Sequence, residues 1–288
     1  MFASVGGIDI FYTETGRGIP CLVPSLASTP IYERTFNSPG LLAHFRLIFT
    51  ELRANRTAAD DAETVTLDRL VADLDGLRQA LGHERVALLG HSGHSVLALA
   101  YAARYPERTE RVIVVGGMPT FSAAISAQNA TYWEVVATPE RKRLLAAGTA
   151  RVTPERLAAL TPAGRMIASY AAGGARYFAD PTYDSTPLWA GFEHASPAII
   201  QRFWGPTAQF STFDPQANFP HLAAPVFIAQ GTLDFSVTPL AWSGVKDLLP
   251  DATYCAFERS GHYPQFEEPE VFDREIVAWL DRGASSSS

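Results

Sequence analysis

The 288-residue sequence predicts an α/β fold, a mostly parallel sheet with helices on both faces and a long helical insert. Three observations predict it. Short apolar runs alternate with helical-period segments up to residue 117 and resume at 225, as parallel strands joined by crossover helices require. One run, Val86-Ala87-Leu88-Leu89-Gly90, passes through a glycine-flanked serine directly into a helix. Between 118 and 224 the alternation stops and alanine- and aromatic-rich stretches, punctuated by proline and glycine, take over; this is too long for a loop.

Taken in order, the runs 8–13, 21–23 and 45–50 are expected strands. A helix over 68–81 follows, with Leu70, Val71, Leu74, Leu77 and Leu81 at helical spacing. Strand 85–90, helix 92–105 and strand 111–116 complete the first block. After the insert, strands 225–230 and 252–257 precede an amphipathic helix beginning near Pro269. The expected organisation is a core of 1–117 and 225–283, a helical cap of 118–224, and a disordered tail of 284–288 ending in four serines.

Gly90-His91-Ser92-Gly93-His94 has the form of a nucleophile elbow, a tight strand-to-helix turn that projects the serine hydroxyl and places the next helix N-terminus beside developing negative charge. His94 stands where the pattern has its second glycine. Serine needs a base and an acid. Asp234 leaves the end of strand 225–230 in Gly231-Thr232-Leu233-Asp234 and is the candidate acid. His262, in Ser260-Gly261-His262-Tyr263-Pro264 after strand 252–257, is the candidate base. Ser95 also follows a Gly-His pair, but it falls one turn into the helix and is the weaker nucleophile.

These three motifs, in the chain order serine, acid, histidine, resemble the α/β-hydrolases, and among them the proline iminopeptidase-like branch. The phrase from Tyr177-Phe178-Ala179-Asp180 to Pro187-Leu188-Trp189 is also similar to insert segments of that branch. The resemblance implies an α/β-hydrolase fold and an oxyanion hole of backbone N–H groups. Gly93, directly after the nucleophile, is one donor; the other is at Ala27, or at Leu26 if the register slips by one. Where such enzymes commonly carry His-Gly after the third strand, this chain has Pro24-Ser25-Leu26-Ala27-Ser28. The iminopeptidase strings His-Gly-Gly-Pro-Gly and Gly-Gly-Ser-Trp-Gly are absent, which demotes peptidase activity.

The leading expectation is a serine hydrolase cleaving a small carboxylic ester or lactone through an acyl-enzyme, without cofactor or metal. An aminopeptidase is the alternative, with Glu134, Glu140, Glu155 or Glu193 binding the substrate ammonium. A non-catalytic protein capturing a small ligand under the cap is a third reading. A serine at the elbow disfavours dehalogenase and epoxide hydrolase chemistry, which runs through an alkyl-enzyme ester. His91 and His94 lack a metal-ligand spacing and an accompanying carboxylate; His91 is expected to pack beside the elbow and His94 to reach the pocket floor or the acid. The run Asp60, Asp61 and Glu63 is expected on a solvated loop.

A net charge of −7 excludes the basic footprint of a nucleic-acid binder. No apolar run approaches a membrane span, and no charged leader with an apolar core opens the chain. Cys21 and Cys255 both lie in expected buried strands and read as core thiols, fitting a cytoplasmic protein. Without secretion, the sequons at Asn55 and Asn129 carry no meaning. The expected partner is a small-molecule substrate, and oligomeric state is left open.

Overall fold

The computed structural model describes residues 1–26, 29–53, 59–192, 197–204 and 208–285. Its strands are β1 (Phe2–Val5), β2 (Ile8–Gly16), β3 (Ile19–Ser25), β4 (Phe45–Glu51), β5 (Val86–His91), β6 (Thr109–Val115), β7 (Val226–Gly231) and β8 (Ala252–Phe257). They form one sheet in the order β1-β2-β4-β3-β5-β6-β7-β8. Pairing is antiparallel for β1 with β2 and β2 with β4, and parallel from β4 through β8. The expected fold class is observed. Strand β1 was not expected; Gly6 and Gly7, with φ of 55° and 84°, make the hairpin turn into β2.

The central strands are buried on both faces, which is why they read as continuous apolar runs. Leu22, Leu88, Val112, Val114 and Ile228 face one way, toward helices α3 (Leu67–Ala80) and α4 (His94–Arg104), through Leu70, Leu74, Val96 and Leu99. Val23, Leu89, Ile113, Val115 and Phe227 face the other way. They meet α1 (Thr29–Thr35), α2 (Pro39–His44) and the C-terminal helix through Ile31, Leu41, Phe272, Ile276 and Trp279. Strand periodicity of two therefore sorts one sequence into two apolar layers, each covered by helices.

Between β6 and β7 every described element is helical: α5 (Ala123–Val136), α6 (Pro139–Ala150), α7 (Pro154–Ala158), α8 (Pro162–Ala172), α9 (Gly174–Tyr177), α10 (Pro197–Phe203) and α11 (Pro215–Asn218), with intervening 3₁₀ turns. Thr138, Thr153 and Thr161 cap α6, α7 and α8. Each hydroxyl accepts a backbone N–H from the third residue on, and each is followed by proline at the first helical position, where no N–H is needed. After β8 come α12 (Pro264–Glu267) and α13 (Pro269–Ser285).

One expectation, the full burial of Cys255, needs correction. Helix α13 extends to Ser285. The acidic run lies on a 3₁₀ turn, Ala59–Thr64, where Glu63 is exposed as expected while its carboxylate also meets Arg202 Nη1 of α10 at 2.5 Å. Cys255 is only half-buried, since β8 is the sheet edge, whereas Cys21 on β3 is fully buried. Both thiols are free, and burial pushes that of Cys255 up to about 11. Among the described residues, no helix is long and apolar enough to cross a membrane.

Candidate active site

Ser92 sits between the last residue of β5 and the start of α4 with φ of 56°, the one positive φ among the described non-glycine residues. That conformation costs a non-glycine residue about 1 kcal/mol or more and is held here by neighbours. Ser92 N–H donates to Val115 O at 3.1 Å, and Ser92 O accepts from Ser95 N–H at 3.1 Å. The turn requires glycine at 90, where a Cβ would lie 2.5 Å from Ser95 Cα and 2.8 Å from His94 O. Ser95 Oγ lies 2.6 Å from Ser92 O and 2.7 Å from Met118 O and accepts Met118 N–H, so it ties the elbow to the end of β6.

Asp234 is fully buried at the end of β7. Its Oδ1 accepts the N–H groups of Ser236 and Val237 at 2.8 and 2.9 Å. Oδ2 accepts Gln230 Nε2–H at 3.2 Å and faces His262 Nδ1 at 2.7 Å. A carboxylate there fixes the proton on Nδ1 and leaves Nε2 as an acceptor. His262 N–H donates to Tyr177 O at 2.6 Å, and His262 O accepts from His91 Nε2–H at 2.9 Å. The approach depends on Gly261, whose Cβ would stand 2.3 Å from Tyr177 O.

Two glutamates that sequence reading passed over brace this loop. Glu267 accepts N–H groups of Ala179, Gly261 and Tyr263, and Glu268 accepts Arg259 N–H and Ser260 Oγ–H. Burial outweighs the hydrogen bonds at Glu267 and pushes its carboxyl up to about 7. Asn129 braces the loop after Asp234, donating to Ser236 O and accepting from Thr238 N–H and Oγ–H. What reads as a sequon is a clamp between insert and core. Only Glu267 and Glu268 had a local signal, carboxylates a few residues after His262.

His94 lines the cavity, and its ring bonds to Leu26 and Tyr32, not to Asp234. Its Nε2 accepts Leu26 N–H at 3.0 Å, so its proton is on Nδ1, which faces Tyr32 Oη at 2.6 Å; Tyr32 in turn donates to His91 O at 3.2 Å. Burial drives His94 down to about 3, and burial with neighbouring His262 holds His91 well below the ordinary range. Both rings are neutral at physiological pH. The Leu26 N–H is therefore occupied, which corrects its place as an oxyanion donor; Ala27 lies outside the described residues. Gly93 caps α4, and a Cβ there would fall 2.7 Å from Trp204 Nε1.

Ser92 and His262 line a cavity of about 670 Å³ that is walled mostly by the insert, with Phe121, Ile125, Trp133, Trp204 and Phe235 among its apolar surfaces. Of the four acidic residues considered for an ammonium, Glu134 alone lines it among those described, and its carboxylate is 69% exposed and paired with Lys142 at 2.6 Å. Glu140 and Glu155 stand exposed in the first turns of α6 and α7, and Glu193 lies outside the described residues.

Similar proteins match most of the chain. The chain is 31% identical over 279 residues to the AB hydrolase superfamily protein YclE of Bacillus subtilis, covering 96% of each chain. To a proline iminopeptidase of Heyndrickxia coagulans it is 27% identical over 216 residues, covering 72% of this chain and 70% of that one. The structure of an esterase from Exiguobacterium antarcticum superposes with a TM-score of 0.68 at 19% identity, over 97% of this chain and 98% of the other. With the alpha/beta hydrolase fold model matching residues 21–269, from the buried start of β3 through the histidine loop, the chain belongs to the α/β-hydrolase fold family.

Proposed function

We propose that this protein is a serine hydrolase that cleaves a small carboxylic ester or lactone through an acyl-enzyme. The observation that carries the reading is the buried His262–Asp234 pair, 2.7 Å apart, with His262 on the same cavity as a serine held at positive φ. In this mechanism His262 Nε2 takes the Ser92 proton as Oγ attacks the carbonyl, and Asp234 holds the imidazole tautomer and stabilises the imidazolium. The Gly93 N–H and the Ala27 N–H receive the oxyanion. His262 then protonates the leaving alcohol, water attacks the acyl-enzyme with His262 as base, and Ser92 is regenerated.

Residues 118–224 act as a cap that shields this chemistry from water and supplies an apolar acyl or alcohol site. The aminopeptidase alternative needs a carboxylate turned into the cavity; Glu134, paired with Lys142 at the rim, weakens it. Two free thiols fit a reducing, cytoplasmic setting.

Labelling by a fluorophosphonate probe, read as an intact-mass shift, tests the nucleophile. Wild type should label and Ser92→Ala should not, with turnover of p-nitrophenyl butyrate falling on the order of 10⁴-fold or more in Ser92→Ala and in His262→Ala. Labelling that survives Ser92→Ala, or is lost in Ser95→Ala instead, would refute the assignment. Esters, lactones and aminoacyl anilides compared by kcat/KM separate the two enzyme readings.

A further inference from the structure

Arg176 is out of place in an apolar cavity. Setting the histidines aside, it and Glu134 are the charged residues among the described lining, and Glu134 already has Lys142. The Arg176 guanidinium lies 4.5 Å over the Trp133 ring and makes no hydrogen bond or ion pair with any described side chain or carbonyl. Its backbone, by contrast, is tightly held. Arg176 O accepts Phe235 N–H at 3.0 Å, one residue after the acid, and the next carbonyl, Tyr177 O, accepts His262 N–H. Buried Arg141 donates to the carbonyls of Ala175, Phe178 and Ala179 on either side. A half-buried cation is thus fixed relative to the base and the acid, stacked on an indole face, with its donor fork uncommitted.

A guanidinium presents paired N–H donors that match a carboxylate, and in a cavity of low polarity such a charge-assisted pair is stronger than in water. Stacking on Trp133 restricts the side chain before substrate arrives, so less freedom is lost on binding. We propose that Arg176 is the anion-binding residue of this cavity and that the substrate is an ester carrying a second, free carboxylate remote from the scissile bond. This rests on the ester-hydrolase reading of the same site. Hydrolysis consumes one water and yields the alcohol, the carboxylate of the acyl part and one proton, while the remote carboxylate passes through unchanged on one of the two products.

Two sources of that carboxylate are separable. Monoethyl esters of glutarate, adipate and suberate carry it on the acyl side, and the butyryl ester of 4-hydroxybutyrate carries it on the alcohol side. Each is compared with its methyl-capped neutral analogue, and proton release is followed in a pH-stat. In wild type at least one charged ester should exceed its neutral analogue in kcat/KM by tenfold or more, and Arg176→Gln should cut that ratio at least tenfold, with Arg176→Lys intermediate. No preference in wild type, or a ratio unmoved in Arg176→Gln, overturns the assignment. Calorimetry of monoethyl adipate and of the hydroxybutyrate ester on Ser92→Ala, with and without Arg176→Gln, reads the same contact without turnover. Tenfold weaker binding in the double variant supports the anion site even if the fluorophosphonate test fails, and equal affinity refutes it even if that test succeeds.

Discussion

Replacing His94 by phenylalanine keeps a ring in the aromatic surroundings of Tyr32, Trp204 and Phe210 but removes both nitrogens. Two hydrogen bonds go. The Leu26 N–H, on a residue 3% exposed, loses its acceptor; an orphaned buried donor costs ~1–3 kcal/mol. Tyr32 keeps its bond to His91 O but loses its contact with Nδ1, another ~1 kcal/mol. The sum, ~2–4 kcal/mol, is a large fraction of the ~5–15 kcal/mol that holds a domain folded. Leu26 immediately precedes the proposed second oxyanion donor, so a displaced loop should also lower kcat, by ~10²–10³ if that donor is lost entirely. Urea unfolding and kcat on p-nitrophenyl butyrate measure the two effects. His94→Gln, whose side-chain oxygen can accept from Leu26, should recover part of both. A phenylalanine variant within 0.5 kcal/mol of wild type and within twofold in kcat, thresholds set by the ordinary scatter of surface substitutions of about ±0.5 kcal/mol, would refute the coupling.

The same histidine sets a pH signature. Its folded value of about 3 lies below the ordinary 6.5, so the unfolded chain binds more protons between those values. Stability from this group is therefore full above pH 6.5 and is lost as pH falls toward 3, up to about 5 kcal/mol in total. In His94→Phe that component of acid destabilisation should be missing; parallel acid curves for variant and wild type would contradict a neutral, bonded imidazole.

Glu267 works in the opposite direction. Its folded value near 7 is raised above 4.5, so its contribution is full below pH 4.5 and lost as pH rises through 7; the stability difference between Glu267→Gln and wild type should shift by up to about 3 kcal/mol across that window, measured by urea titrations at several pH values, and a constant difference would count against it. Gly90→Ala drives a methyl into the backbone of residues 94 and 95, so the elbow must open: a loss of ~1–3 kcal/mol together with most of the turnover is expected from thermal unfolding and ester assays, and a fully active variant would show that the turn tolerates a side chain.

Most of the scaffold was legible because its signals are local. Buried strands show as apolar runs, α3 as a 3.6-residue period, and the elbow as glycine around serine between a strand and a helix. The hairpin at Gly6-Gly7 was equally local and was passed over because four residues of β1 make a short apolar signal. Asp234 and His262, the proposed acid and base, could be picked out because each follows a strand end, and they do meet at 2.7 Å. Arg176, Asn129, Glu267 and Tyr32 could not be placed, since their partners lie up to about a hundred residues away, and only the order in which strands stack decides which loops meet.

Two departures from the family pattern, the missing His-Gly after β3 and the histidine in place of the elbow's second glycine, look independent in one dimension. Strand β3 lies beside β5 in the sheet, so Leu26, just past the end of one, comes close to the turn leaving the other. There the two departures become one contact, Leu26 N–H to His94 Nε2 across 68 positions of sequence. A glycine at 94 permits close approach but offers no acceptor; histidine fills the gap and supplies one. Restoring glycine at 94 alone would therefore not regularise the elbow. It would orphan the buried Leu26 N–H, next to the proposed second oxyanion donor, and only a compensating change between Pro24 and Ser28 could make that substitution neutral.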